Sequence, residues 1–124
     1  MTTSQKRILL IEDSPDIQML MTKLLESSGY SVTRANNGKL GLKMLESASV
    51  FPHLILLDLM MPEMDGYQFR EEQKKNIKFS SIPVIIMSAD EDVQTIAKQI
   101  DAQSFLKKPF RNMQVVLDGV GNFF

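Results

Sequence analysis

Apolar and polar positions fall into blocks along this chain. Four short apolar runs recur, at Ile8–Ile11, Leu54–Leu57, Val84–Met87 and, more weakly, Phe105–Leu106. Continuous runs this short, rich in branched side chains, predict strands buried on both faces, the pattern of a parallel sheet. A fifth segment, Tyr30 to Ala35, reads YSVTRA and predicts a more polar strand at an edge. Between the runs the period becomes helical. Ile17, Leu20, Met21, Leu24 and Leu25 fall at i, i+3, i+4, i+7 and i+8 and predict one buried stripe. Ser14 suits the cap of that helix, Pro15 its first turn and Gly29 its end. The stripe repeats at Val93, Ile96, Ala97 and Ile100, and again at Met113, Val116, Leu117 and Val120. A further helix is expected near Lys39 to Ser47, capped by Asn36 or Asn37. The segment after Gly66 gives the poorest pattern, because Arg70 to Asn76 is wholly polar.

Strands alternating with helices give βαβ units, hence an open parallel sheet covered on both faces. No linker, repeat or low-complexity segment interrupts the pattern, so one domain over residues 1–124 is expected, with its core at about 6–120. With 124 residues, 44% hydrophobic and 23% charged, the chain can bury a proper core. A net charge of -1 without a basic run gives no nucleic-acid footprint. The longest apolar run is four residues, so no membrane segment is expected, and MTTSQKR lacks the apolar centre of a signal peptide. There is no cysteine, which excludes disulfides, a thiol nucleophile and thiolate metal sites. These features predict a cytoplasmic protein.

In open α/β sheets, ligands bind beyond the carboxyl ends of the strands. The residues following each apolar run therefore belong together: Glu12 and Asp13, then Asp58, then Ser88, then Lys107, Lys108 and Pro109. Two like charges ~5 Å apart repel by roughly 3 kcal/mol at an effective dielectric of 20. One lysine cannot balance three carboxylates, whereas a hard cation with oxygen ligands can, and magnesium suits one or two carboxylates plus a phosphate. The set also suits phosphoryl transfer, with a carboxylate nucleophile, a metal and a lysine as point charge. Each residue also has an ordinary role open to it. Asp13 can begin a helix beside Ser14, Ser88 can cap one after Asp90, and Lys108 can be a solvated turn residue.

EDSP at Glu12–Pro15, LLDLMMPEMDG at Leu56–Gly66, IIMSA at Ile85–Ala89 and FLKKPF at Phe105–Phe110 together resemble the receiver domain of two-component response regulators. The resemblance runs from Lys6 to about Val120 and is carried by Asp58, Pro62 and Gly66 followed by the later Lys-Pro pair. It implies a doubly wound, flavodoxin-like three-layer fold whose five parallel strands lie in the order 2-1-3-4-5. It further implies that Asp58 is the phosphoacceptor. Mg²⁺ would be held by Glu12, Asp13, Asp58 and the backbone carbonyl of Met60. Ser88 would hydrogen-bond the phosphoryl group and Lys108 contact one of its oxygens. Phe105 would be the switch aromatic coupled to Ser88, and the Lys108-Pro109 bond would be cis. The implied donor is a sensor histidine kinase or a histidine phosphotransfer protein. The implied target is a protein bound through the last two helices and the fifth strand. Nucleic acid would not be bound directly and no membrane is involved. On this reading the chain is no enzyme in the usual sense, since it catalyses only transfer to, and hydrolysis from, its own Asp58. No output domain is encoded in it, so it is either a single-domain regulator or a piece of a longer protein.

Several positions depart from the family's pattern. Glu12 stands where Asp is more common, and Asp101 precedes Ala102 where glycine is common. Gln73 replaces an apolar residue, so the third helix is expected to be short or irregular. Asp90 adds an acid near the phosphorylation site. Lys107 is expected to face solvent and His53 to be a surface residue at a strand start, while GVGNFF at the C-terminus offers loose aromatics. Met60, Met61 and Met64 fall in the site loop, where a partner could touch them. Phe105, read without the resemblance, is ordinary core. A receiver reduced to a constitutive binding module is disfavoured because Glu12, Asp13, Asp58, Ser88 and Lys108 are all present. A doubly wound hydrolase or flavin carrier is disfavoured by the lack of a phosphate-cradling glycine loop or a G-x-S-x-G elbow.

Overall fold

The apolar runs become β1 (Arg7–Ile11), β3 (Leu54–Asp58), β4 (Val84–Ser88) and β5 (Ser104–Lys107), and the polar segment becomes β2 (Ser31–Ala35). The computed structural model describes residues 5–61 and 63–124. All pairings are parallel and the strand order is β2-β1-β3-β4-β5, as the resemblance implies. Alternate residues of each strand feed different cores. Leu9, Ile11, Ile55, Leu57, Val84 and Ile86 pack under α2 (Gly38–Ser47), α3 (Gly66–Lys75) and α4 (Val93–Gln99). Ile8, Leu10, Leu54, Leu56, Ile85 and Met87 pack under α1 (Pro15–Ser27) and α5 (Met113–Gly121). Three layers result. Among the described residues no helix is long and apolar enough to cross a membrane.

Helix ends follow the expected chemistry. Ser14 Oγ accepts from Ile17 N at 3.4 Å and Pro15 occupies the first turn of α1. Gly29 closes that helix at φ 96°, letting Tyr30 N reach Leu25 O at 3.1 Å. Of the two candidate caps for α2, Asn37 serves, through Leu40 N at 2.9 Å. Asn36 instead takes a hydrogen bond from Gln18.

Three expectations need correction. Leu20 falls outside the buried stripe of α1 at 52% exposure, while Thr22 turns inward. The threonine hydroxyl is satisfied by Gln18 O at 2.6 Å, which lowers the cost of burying it. Second, α3 is neither short nor irregular. It runs for 10 residues behind a capping box formed by Asp65 and Gln68. Its polar residues Arg70 and Gln73 are buried, with partners described below. Third, His53 is more than a surface residue. Its Nδ1 accepts from Arg7 N at 2.9 Å, and burial lowers its pKa below the usual histidine range. The tail aromatics pack back, Phe123 onto the α1/α5 core and Phe124 with its ring 5.2 Å from Tyr30 and 6.1 Å from His53. Lys107 is exposed, as expected.

Candidate functional site

Parallel strands bring their carboxyl ends to one edge, and that edge collects the acids. Glu12 follows β1 and is held by its backbone, which donates to Ala35 O of β2 at 3.1 Å. Its buried carboxylate accepts from Ser14 N at 3.1 Å and from Lys108 Nζ at 2.7 Å. Asp58 ends β3 and is also buried. It accepts from Met60 N at 3.3 Å and lies 3.5 Å from Lys108 Nζ. Asp13 is exposed at the mouth. One carboxylate oxygen from each of Glu12, Asp13 and Asp58 lies within 4.8 Å of the other two.

Burial, followed by the Glu12 carboxylate, pushes Asp58 up from 3.8 to about 7, with the Lys108 ammonium opposing. A buried carboxylate that resists ionisation, with two more beside it, fits a hard divalent cation. The donors are all oxygen, and their spread matches ligand distances of about 2.0–2.6 Å around one ion.

The other predicted residues surround this centre. Ser88, buried at the end of β4, accepts through Oγ from Asp90 N at 3.0 Å. Its carbonyl accepts from Lys108 N at 2.8 Å, tying the serine to the lysine's backbone. The Lys108-Pro109 peptide bond is cis. Met60 is 73% exposed beside Asp58. Phe105 is half-buried in β5 and packs against the α2–α4 core. Pro62 lies outside the described residues. Gly66 opens α3, and a Cβ there would sit 2.8 Å from Asp58 O and from Leu59 Cα, so the loop closes tightly only with glycine. Asp101 takes φ 56° where glycine is common, a conformation aspartate tolerates.

Sequence reasoning missed Gln18. Its amide donates to Glu12 O at 3.0 Å, Ala35 O at 3.4 Å and Asn36 Oδ1 at 3.2 Å, clasping the ends of β1 and β2 behind the acidic pair. A glutamine on a mixed helix carries no pattern that separates this role from solvation.

Residues 8–118 match the family described as the response regulator receiver domain. The chain belongs to that family. This receiver domain is 33% identical over 105 residues to the protein PilH of Pseudomonas aeruginosa, covering 83% of this chain and 85% of PilH. It is 36% identical to the probable transcriptional regulator ycf27 of Cyanidium caldarium, covering 86% of this chain but only 41% of that longer protein. Among solved structures it resembles the response regulator TrrA of Thermotoga maritima in complex with Mg²⁺-BeF. The TM-score is 0.83 and the identity 28%, with 97% of this chain and 100% of that one covered.

Proposed function

We propose that this receiver domain takes a phosphoryl group onto Asp58 from the phosphohistidine of a sensor histidine kinase or histidine phosphotransfer protein, and acts in the cytoplasm as a switch. In the step, an Asp58 oxygen attacks phosphorus, an O–P bond forms, the N–P bond breaks and the imidazole leaves with its electron pair. Glu12, Asp13, Asp58 and the Met60 carbonyl would hold Mg²⁺, which would neutralise the charge gathering on the phosphoryl oxygens.

The chain's own groups are poised for the rest. Lys108 Nζ lies 2.7 Å from Glu12 and 3.5 Å from Asp58, so its charge is at hand for a phosphoryl oxygen on Asp58. Ser88 Oγ accepts a hydrogen bond from Asp90 N, which leaves its own O–H free to donate to that phosphoryl group. A phosphoryl group adds about 1.5 to 2 negative charges and several strong acceptors, enough to draw Ser88 and Lys108 inward. Half-buried Phe105 follows Ser88, and the face of α4, β5 and α5 changes for a downstream protein. No separate substrate is turned over. Hydrolysis of the acyl phosphate resets Asp58.

The observation that carries this reading is the convergence of three carboxylates within 4.8 Å, with a lysine ammonium 2.7 and 3.5 Å from two of them. Intact-mass measurement after acetyl phosphate and Mg²⁺ tests it. One phosphoryl increment is expected, absent in Asp58→Asn and without Mg²⁺. No increment on the parent chain overturns it.

A further inference from the structure

The polar face of α3 points into the protein. Arg70 Nε donates to Ile100 O at 2.9 Å and Nη2 to Asp101 O at 2.6 Å, while Nη1 reaches Gln73 Oε1 at 2.8 Å. Gln73 passes the connection on, its amide donating to Phe79 O at 3.0 Å and Ile82 O at 3.1 Å. Among the described residues no carboxylate lies within 4.0 Å of the Arg70 guanidinium. Its charge is met instead by carbonyls at the C-terminal end of α4, the negative end of that helix's dipole.

That end of α4 is fastened in several further ways. Ala102 N reaches Ala97 O at 2.8 Å and Asp101 N reaches Lys98 O at 3.3 Å, a Schellman closure around the left-handed Asp101. The Asp101 carboxylate pairs with Lys74 of α3. Gln103 exchanges hydrogen bonds with Val84 of β4, at 2.9 Å from its backbone and 2.7 Å through its side chain. The N-terminal end is held differently. Asp92 makes no side-chain cap. Its N–H donates to Asp90 Oδ1 at 2.8 Å, and Asp90 N in turn hangs on Ser88 Oγ. Every one of these ties is local to Ser88.

We propose that Arg70 is a positioning residue that pins the C-terminal turn of α4, so that phosphorylation of Asp58 makes the helix pivot about Ile100–Ala102 rather than move as a whole. This rests on the phosphoacceptor reading above. Drawing Ser88 inward toward the phosphoryl group pulls on Asp90 N, which hangs on its Oγ, and so on the start of α4, while the guanidinium holds the far end in place. Only the N-terminal half of the helix then changes the face it shares with β5. With Arg70 gone the remaining ties hold that end less firmly, and part of the displacement reaches Ile100–Ala102.

Backbone amide NMR of the full chain, with and without Mg²⁺ and beryllofluoride, tests this together with amide hydrogen exchange. In the parent, shifts should concentrate from Ser88 to Val93 and leave Ile100–Ala102 unmoved and equally protected. In Arg70→Met, the beryllofluoride midpoint should stay unchanged while the perturbation spreads through Ile100–Ala102, and Arg70→Lys should restore part of the parent pattern. A merely structural arginine would lower the melting temperature and leave the spatial pattern alone. Parent amides at Ile100–Ala102 shifting as far as those at Ser88–Asp90 overturn the pivot, as does an Arg70→Met pattern identical to the parent. The parent measurement decides the pivot even if Arg70→Met does not fold, and Gln73→Met, which removes one partner of the guanidinium, then tests the pin. A parent blind to beryllofluoride at Ser88 removes the phosphoacceptor reading itself, a failure distinct from the other two.

Discussion

Asp58→Asn in protein freed of divalent ions by EDTA isolates the electrostatic cost of the acidic cluster. Asparagine keeps the shape of the side chain and cannot ionise. In the parent, Asp58 is pushed from 3.8 to about 7 by burial and by Glu12. Between those values the folded chain holds a proton that the unfolded chain has released. Parent stability therefore falls as pH rises through this window, and the loss is complete above 7. The displacement corresponds to about 4 kcal/mol at most. That value already contains the opposing Lys108 charge, and the water around exposed Asp13 screens the remainder, leaving about 2 kcal/mol. Urea unfolding followed by circular dichroism should show the variant gaining on the parent by about 1–2 kcal/mol between about pH 5 and pH 8, with an unchanged slope. Adding Mg²⁺ at ten times its dissociation constant should return about 1.4 kcal/mol to the parent and little to the variant. A gap independent of pH, or an equal response to Mg²⁺, would refute the claim that Asp58 is a desolvated, repelled carboxylate in a shared cation site.

Lys108→Met should keep the fold but lose about 2 kcal/mol at neutral pH, the scale of hydrogen bonds to charged groups; the thermal shift on adding Mg²⁺ should exceed the parent's because the acids are left less neutralised. Gly66→Ala drives a methyl into the backbone of Asp58 and Leu59. It should cost about 1–3 kcal/mol and weaken Mg²⁺ binding as well, both read from thermal melts along a Mg²⁺ titration. Gly29→Ala meets nothing within 4 Å but must hold φ 96°. It should lose about 1 kcal/mol in urea unfolding and leave phosphorylation by acetyl phosphate untouched.

The strands were legible because β1, β3 and β4 are covered on both faces, so hydrocarbon fills every position apart from Arg7, Asp58 and Ser88 at their ends and no alternation is needed. The acids and Ser88 were legible because a parallel sheet sends all strand ends to one edge. Leu20 misled because the i, i+3, i+4 rule marks a stripe without fixing its centre. Successive residues turn by about 100°, so Leu20 and Thr22 flank Met21 symmetrically, and only the sheet decides which side is covered. The polar run in α3 was unreadable for another reason. Arg70 and Gln73 find partners at Ile100, Asp101, Phe79 and Ile82, groups that come near only after α4 and the segment before β4 have packed. His53 was half legible, since its place at the strand start followed from sequence but its bond to Arg7 N needed the β1–β3 register.

The sheet divides the interior into two compartments that share strands but no side chains. Ile55 and Leu56 are chain neighbours, yet one belongs to the α2–α4 side and the other to the α1/α5 side. Damage on one side is thereby separated from the other by the backbone of the sheet, and truncations on opposite faces at well-separated positions should cost close to the sum of their separate losses. A chain built this way can tolerate drift in one half of its interior while the other half keeps the strands, and the acids at their tips, in line.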